Sequence, residues 1–151
     1  MHRLTKCLLP AAVAAVAMQV VRYPRTNPAV ESDLVAPPEI KSALHRACYD
    51  CHSNETTWPW YSAVAPMSWV IHHDVSEGRS RLNFSSWGDY TEDPGTKFQK
   101  LEEISKSVAR GDMAPWYYRM LHPDAALSDD QRAQLVRWLT QELGPRTASP
   151  R

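Results

Sequence analysis

The sequence predicts an all-α fold of about four helices, and three observations carry that prediction. Phe98, Leu101, Ile104 and Val108 recur at three- and four-residue steps, the spacing that places apolar side chains on one face of a helix. Ser128-Asp129-Asp130-Gln131 has the pattern of a capping box, which opens a helix by satisfying its first free N–H groups. No segment alternates apolar and polar residues as a half-buried strand would, and no internal repeat is present.

The elements follow in order. His2, Arg3 and Lys6 precede an uncharged run from Cys7 to Val21, with Ala15-Val16-Ala17 as a small-x-small site before Met18. Residues 1–21 therefore read as an export signal. The run falls short of the roughly 20 residues that cross a bilayer as a helix, so an uncleaved N-terminal anchor is the runner-up. Lys6 directly before Cys7 disfavours a lipidation site there. Residues 22–37 are rich in proline (Pro24, Pro28, Pro37) and lack periodicity, the character of an extended tether. The domain is expected over residues 38–145. Pro38 suits a first helical position, and Ile40, Leu44 and Cys48 follow at spacing four in a helix that reaches residue 52. Trp58-Pro59-Trp60-Tyr61-Ser62 breaks regular structure before a second helix over residues 68–81, weakened by Gly78. Residues 88–95 read as a loop, residues 96–110 as the clearest helix, stopped by Gly111, and residues 113–118 as an aromatic segment in which Pro115 disfavours a long helix. The last helix runs to Leu143 before Gly144-Pro145, and residues 146–151 form a disordered tail.

Composition sets further bounds. At 151 residues the chain supports one domain, and 17 basic residues balance 17 acidic ones, so nothing steers it toward nucleic acid or an anionic surface. Six tryptophans and six tyrosines against two phenylalanines favour rings with a polar edge, suited to lining a cofactor pocket or to ordinary packing.

One motif decides the chemistry. Cys48-Tyr49-Asp50-Cys51-His52 has the Cys-x-x-Cys-His spacing of covalent c-type haem attachment. On a helix the two sulfurs share a face and reach the two vinyl groups of one porphyrin, Tyr49 and Asp50 point away, and His52 turns an imidazole nitrogen onto the iron. A thioredoxin-like couple would want a βαβ context and zinc a second ligand pair, and the sequence offers neither. The thiols would end as thioethers, which fits export to the periplasm, either as a soluble protein or anchored by residues 1–21.

The sixth iron ligand separates an electron carrier from a ligand binder. Met113, between two helices on a loop braced by Pro115, is the first choice, because a soft thioether favours ferrous iron and raises the potential. His72 and His73 compete, and at most one of them can face the pocket, since adjacent helical residues diverge by about 100°. Met67 is a further contender; His45, Met120 and His122 are less favoured. Trp58, Trp60 and Trp69 are candidates for burying the cofactor, and Arg79 and Arg81 for pairing with its propionates. A rival from another class, a peroxidase-like or small-ligand-binding haem protein, would use His73 with Arg79 on an open distal side.

A family resemblance joins these residues. Cys51-His52-Ser53-Asn54, Trp58-Pro59-Trp60-Tyr61-Ser62, Ala65-Pro66 with Ser68-Trp69, His73-Asp74-Val75, Gly78-Arg79, Leu82-Asn83-Phe84-Ser85 with Trp87, Gly111-Asp112-Met113 and His122-Pro123 to Leu127-Ser128 together resemble the small bacterial haem-binding domain family related to cytochromes c. The likeness covers most of the chain after residue 37. It implies a cytochrome c-like helical domain, one covalent haem, and an exported or membrane-anchored, non-enzymatic electron carrier with a redox partner the sequence does not identify. Where the family often reads Met-Pro-Pro, this chain has Met113-Ala114-Pro115.

Overall fold

The computed structural model describes residues 2–144, with side chains from residue 8 onward. The expected tail at 146–151 and the side chain of Cys7 lie outside the described residues. Among those described there is no strand, only an isolated bridge between Ser32 and Ser86, so the all-α prediction holds.

The first helix, α1 (His2–Met18), carries Pro10 and leaves Leu8, Leu9, Val13 and Val16 exposed. No helix of the described residues is long and apolar enough to cross a membrane. Beyond it the Gln19 side chain forms a reciprocal pair with Ala65, donating to its carbonyl (3.2 Å) and accepting from its N–H (2.9 Å). The proline-rich segment is extended, as expected, yet it is no free tether. Asn27 donates to the Thr56 carbonyl, Ala29 O accepts from Asn54, and Ser32 exchanges backbone bonds with Ser85 and Trp87. Leu34 sits in the core at 5% exposure. Prolines fix an extended backbone whose polar groups must still be satisfied, and here the domain supplies their partners.

The helix expected at 38–52 forms in three joined parts: α2 (Pro38–Leu44), a π-helical turn (His45–Tyr49) and α3 (Asp50–His52). Pro38 starts it, and Ile40, Leu44 and Cys48 are all buried, as their spacing foretold. Ser53 ends it, turning extended while its hydroxyl donates back to Tyr49 O. Helix α4 (Met67–Arg81) crosses α3 at Gly78, where a Cβ would stand 2.2 Å from the Cys51 carbonyl oxygen. Glycine at 78 is therefore a condition of the crossing and not merely a weak spot in the helix.

Helix α5 (Trp87–Thr91) falls within the segment expected to be a loop, because Trp87 is buried at 6% exposure and stacks on Phe84. Asp93 caps α6 (Pro94–Arg110), and Gly111 closes it in the left-handed region at φ 72°. Pro115 does not prevent a short α7 (Trp116–Leu121), since the helix begins directly after it. The capping box at Ser128 and Gln131 is present at the start of α8 (Asp129–Leu143). Helices α6 and α8 pack on each other and α8 also on α2, closing a core around Leu44, Tyr49, Phe84, Leu101, Leu135 and Leu139. All four expected helices form; among the described residues the additions are α1, the short α5 and α7, and 3-10 turns at Trp60–Ala63 and Pro123–Ala125.

Candidate functional site

The site grows out of the end of α3. Cys48 is buried and Cys51 half-buried, both as free thiols, and burial pushes each up to about 12. At neutral pH both sulfurs are protonated, the opposite of the depressed thiolate that redox couples rely on. His52 is more informative. Its Nδ1 lies 2.9 Å from the Gly78 carbonyl and 3.2 Å from that of Leu82. Both partners can only accept, so Nδ1 carries the proton and Nε2 keeps its lone pair. Burial holds the His52 pKa below the usual histidine range, which keeps that lone pair free at neutral pH.

Two adjoining cavities, of about 240 and 260 Å³, share Cys48, His52, Arg81 and Met113 in their walls. The second is completed by the apolar Leu82, Phe84, Ile104 and Val108 together with Glu103 and Ser107. The first carries Cys51, Asp50, Asp74, His73, Tyr117 and Tyr118. Two cysteines, a histidine with a directed lone pair and a distant methionine thus meet at one slot.

The remaining candidates separate. Trp58, Trp60 and Trp69 wall neither cavity: Trp58 donates to Asn27 and Trp69 to the Val21 carbonyl, while Trp60 is 80% exposed. The Trp58 and Trp69 indoles are half-buried, and the segment before α2 supplies the acceptors for their N–H groups. Arg79 is likewise turned from the slot, its guanidinium donating to Ser53 O (2.7 Å), Thr26 O (2.9 Å), Asn27 Oδ1 (3.0 Å) and Thr56 Oγ1 (2.9 Å). Arg81, two residues on, is the arginine in both cavity walls. His72 stacks on Tyr23 at 4.3 Å, so of the adjacent pair only His73 reaches the slot. Met67 opens onto an apolar pocket that shares Asp50, Cys51, Asp74, Tyr117 and Tyr118 with the first cavity, His45 stacks on Tyr49, His122 stacks on Tyr118, and Met120 is exposed.

Sequence reasoning missed Phe84, Ile104 and Val108 as wall residues and the tyrosine pair of α7. The periodicity of α6 did mark Ile104 and Val108 as inward-facing, but a core and a cavity wall give the same pattern.

A family model for a haem-binding domain matches residues 13–141. The chain belongs to the haem-binding domain family. No curated protein and no solved structure matches it. Haem is therefore the cofactor, and the residues fit it: one imidazole lone pair directed by backbone carbonyls, two thiols on the same turn, and a slot with apolar walls. Among the described residues no group of three or more His, Cys, Asp or Glu side chains could hold a bare metal ion. The family match includes the extended segment before α2, in keeping with its hydrogen bonds to the body of this haem-binding domain.

Proposed function

We propose that this haem-binding domain is an exported c-type cytochrome-like electron carrier, its haem linked through Cys48 and Cys51, with His52 as proximal and Met113 as distal ligand. One observation carries the reading: His52, locked by two carbonyls, faces a slot whose walls also contain Cys48 and Met113. When bound, haem supplies one-electron exchange between ferric and ferrous iron. Gly78 and Leu82 fix the imidazole and strengthen it as a donor. Met113 would hold the iron through a thioether, a ligand that favours the ferrous state, and Phe84, Ile104 and Val108 would lay apolar surface against the haem, which disfavours the extra charge of the ferric state. Arg81, which pairs with Glu77 at 3.2 Å, is the cation in the slot's walls that would meet the propionates.

Of the pair named for a peroxidase-like reading, His73 lines the slot while Arg79 is spent on Ser53, Thr26 and Thr56, and Arg81 is the arginine that shares the wall with His73. Export to the periplasm, with α1 either removed or retained as an anchor, is supported by the uncharged run from Cys7 to Val21 and by the covalent mode of attachment. Intact-mass analysis of matured protein tests the linkage, and the ferric spectrum of Met113→Ala beside wild type tests the distal ligand. A mass equal to the bare polypeptide overturns the first; an unchanged far-red charge-transfer band overturns the second.

A further inference from the structure

Met113 is joined to α7 by Ala114, which is buried at 1% exposure, and Pro115. The position of α7 therefore dictates where the Met113 loop lies. Two consecutive tyrosines of α7 reach two different helices that line the first cavity. Tyr117 donates its hydroxyl to Asp74 Oδ2 of α4 at 3.0 Å, and Tyr118 donates to Asp50 Oδ2, inside the Cys-x-x-Cys-His motif itself. The other oxygen of Asp50 accepts the Thr57 N–H at 2.7 Å, so its carboxylate is held before the tyrosine arrives. Tyr118 also stacks on His122 at 4.2 Å and 8°, and His122 is hydrogen-bonded to Tyr61. All four members of the two pairs, Asp50, Asp74, Tyr117 and Tyr118, stand in the wall of the first cavity.

We infer that these two tyrosine–carboxylate bonds form a latch that closes α7 and the Met113 loop over the slot, making Tyr117 and Tyr118 positioning residues that set access to the haem. The inference rests on the proposed function in that haem occupies this slot. It does not depend on which group holds the sixth position. One bond ties α7 to the helix bearing the attachment cysteines and the other ties it to the helix that crosses it, so the loop is fixed to both helices at once. A hydrogen bond to a charged acceptor is among the stronger kinds in a protein, and phenylalanine removes it while keeping the ring and its stacking.

The test uses the mature holoprotein and Tyr117→Phe, Tyr118→Phe and the double variant. Carbon monoxide association with the reduced protein reads access, the ferric far-red band reads the distal ligand, and thermal unfolding reads stability. The latch predicts carbon monoxide association faster by about tenfold or more in the double variant, with smaller increases in the singles. Association at the wild-type rate overturns it, whether or not the melting temperature falls, because a purely structural role would lower stability and leave access alone. If the double variant accumulates without haem, Tyr117→Phe carries the same test, since Asp74 lies outside the attachment motif. Met113→Ala in parallel keeps the two readings apart: an unchanged band there ends the Met113 assignment, while the latch is still judged on the association rates of the tyrosine variants.

Discussion

Gly78→Ala probes the contact that sets the proximal side of the site. An added Cβ would stand 2.2 Å from the Cys51 carbonyl oxygen, 2.9 Å from its carbon and 3.2 Å from the Cys51 Cβ. Two of those atoms are backbone, so no side chain can swing clear and α4 has to retreat by about 1 Å. That retreat carries off the Gly78 carbonyl that fixes His52. Overpacking of this kind costs about 1–3 kcal/mol and a lost buried hydrogen bond about 1 kcal/mol, while alanine returns about 1 kcal/mol of helix propensity. The net is a loss of about 1–3 kcal/mol, a fall in melting temperature of about 3–10 °C for a chain of this size. Thermal unfolding of the holoprotein measures it, and the ferric electron paramagnetic resonance spectrum should shift as the imidazole loses its orientation. A Gly78→Ala protein as stable as wild type, or more stable, would show that helix propensity outweighs the crossing and that the contact between α3 and α4 is looser than the argument requires.

Four other outcomes follow from the same geometry. Met113→Ala should lose the far-red charge-transfer band, bind carbon monoxide readily when reduced and show a lower potential by redox titration. Arg79→Ala should cost about 2 kcal/mol in urea unfolding, because four acceptors lose one fork of donors, and leave the haem spectrum unchanged; Arg79→Lys should rescue little of this, a point charge being unable to reach all four. Ser128→Ala should cost about 1 kcal/mol through the capping box of α8. Burial alone would raise the Asp33 pKa, but hydrogen bonds from Lys41 and Tyr49 hold it below its ordinary 3.8; its contribution to stability is thus present above about pH 4 and lost as pH falls through the folded value, and Asp33→Asn should flatten that acid limb of the unfolding curve.

What the sequence disclosed and what it hid divide along a physical line. Local rules were legible: Pro38 at a first turn, Ser128 and Gln131 as a capping box, Gly111 at positive φ, and the spacing of Ile40, Leu44 and Cys48. Each depends on residues within a turn of one another. The misplacements concern long-range pairing. Trp58, Trp69 and Arg79 were candidates for the cofactor because a ring with an N–H or a guanidinium suits a pocket, but the same donors suit bare carbonyls. The extended segment before α2 offered those carbonyls at Thr26 and Val21. Nothing in a proline-rich stretch announces that it will lie against the domain, since its bonds go to residues far along the chain. Helices α5 and α7, with five and six residues, are too short for a 3.6-residue period to register.

The least informative positions of the motif, Tyr49 and Asp50, turn out to hold it in place. Tyr49 turns into the core as helical spacing requires, whereas Asp50, expected to point away as well, stands in the wall of the first cavity, and each is tied by hydrogen bonds. Tyr49 stacks on Phe84 in the core at 4.9 Å and donates to Asp33 at 2.6 Å. Asp50 takes the Thr57 N–H on one oxygen and the Tyr118 hydroxyl on the other. His52 is bound by Gly78 and Leu82, and Ser53 by Tyr49 and Arg79. Cys48, Cys51 and His52 therefore face the slot because their neighbours are bonded on the other sides. A wall fixed in this way holds the imidazole and the two thiols in one arrangement, the preorganisation that a haem-binding site asks of its supporting residues.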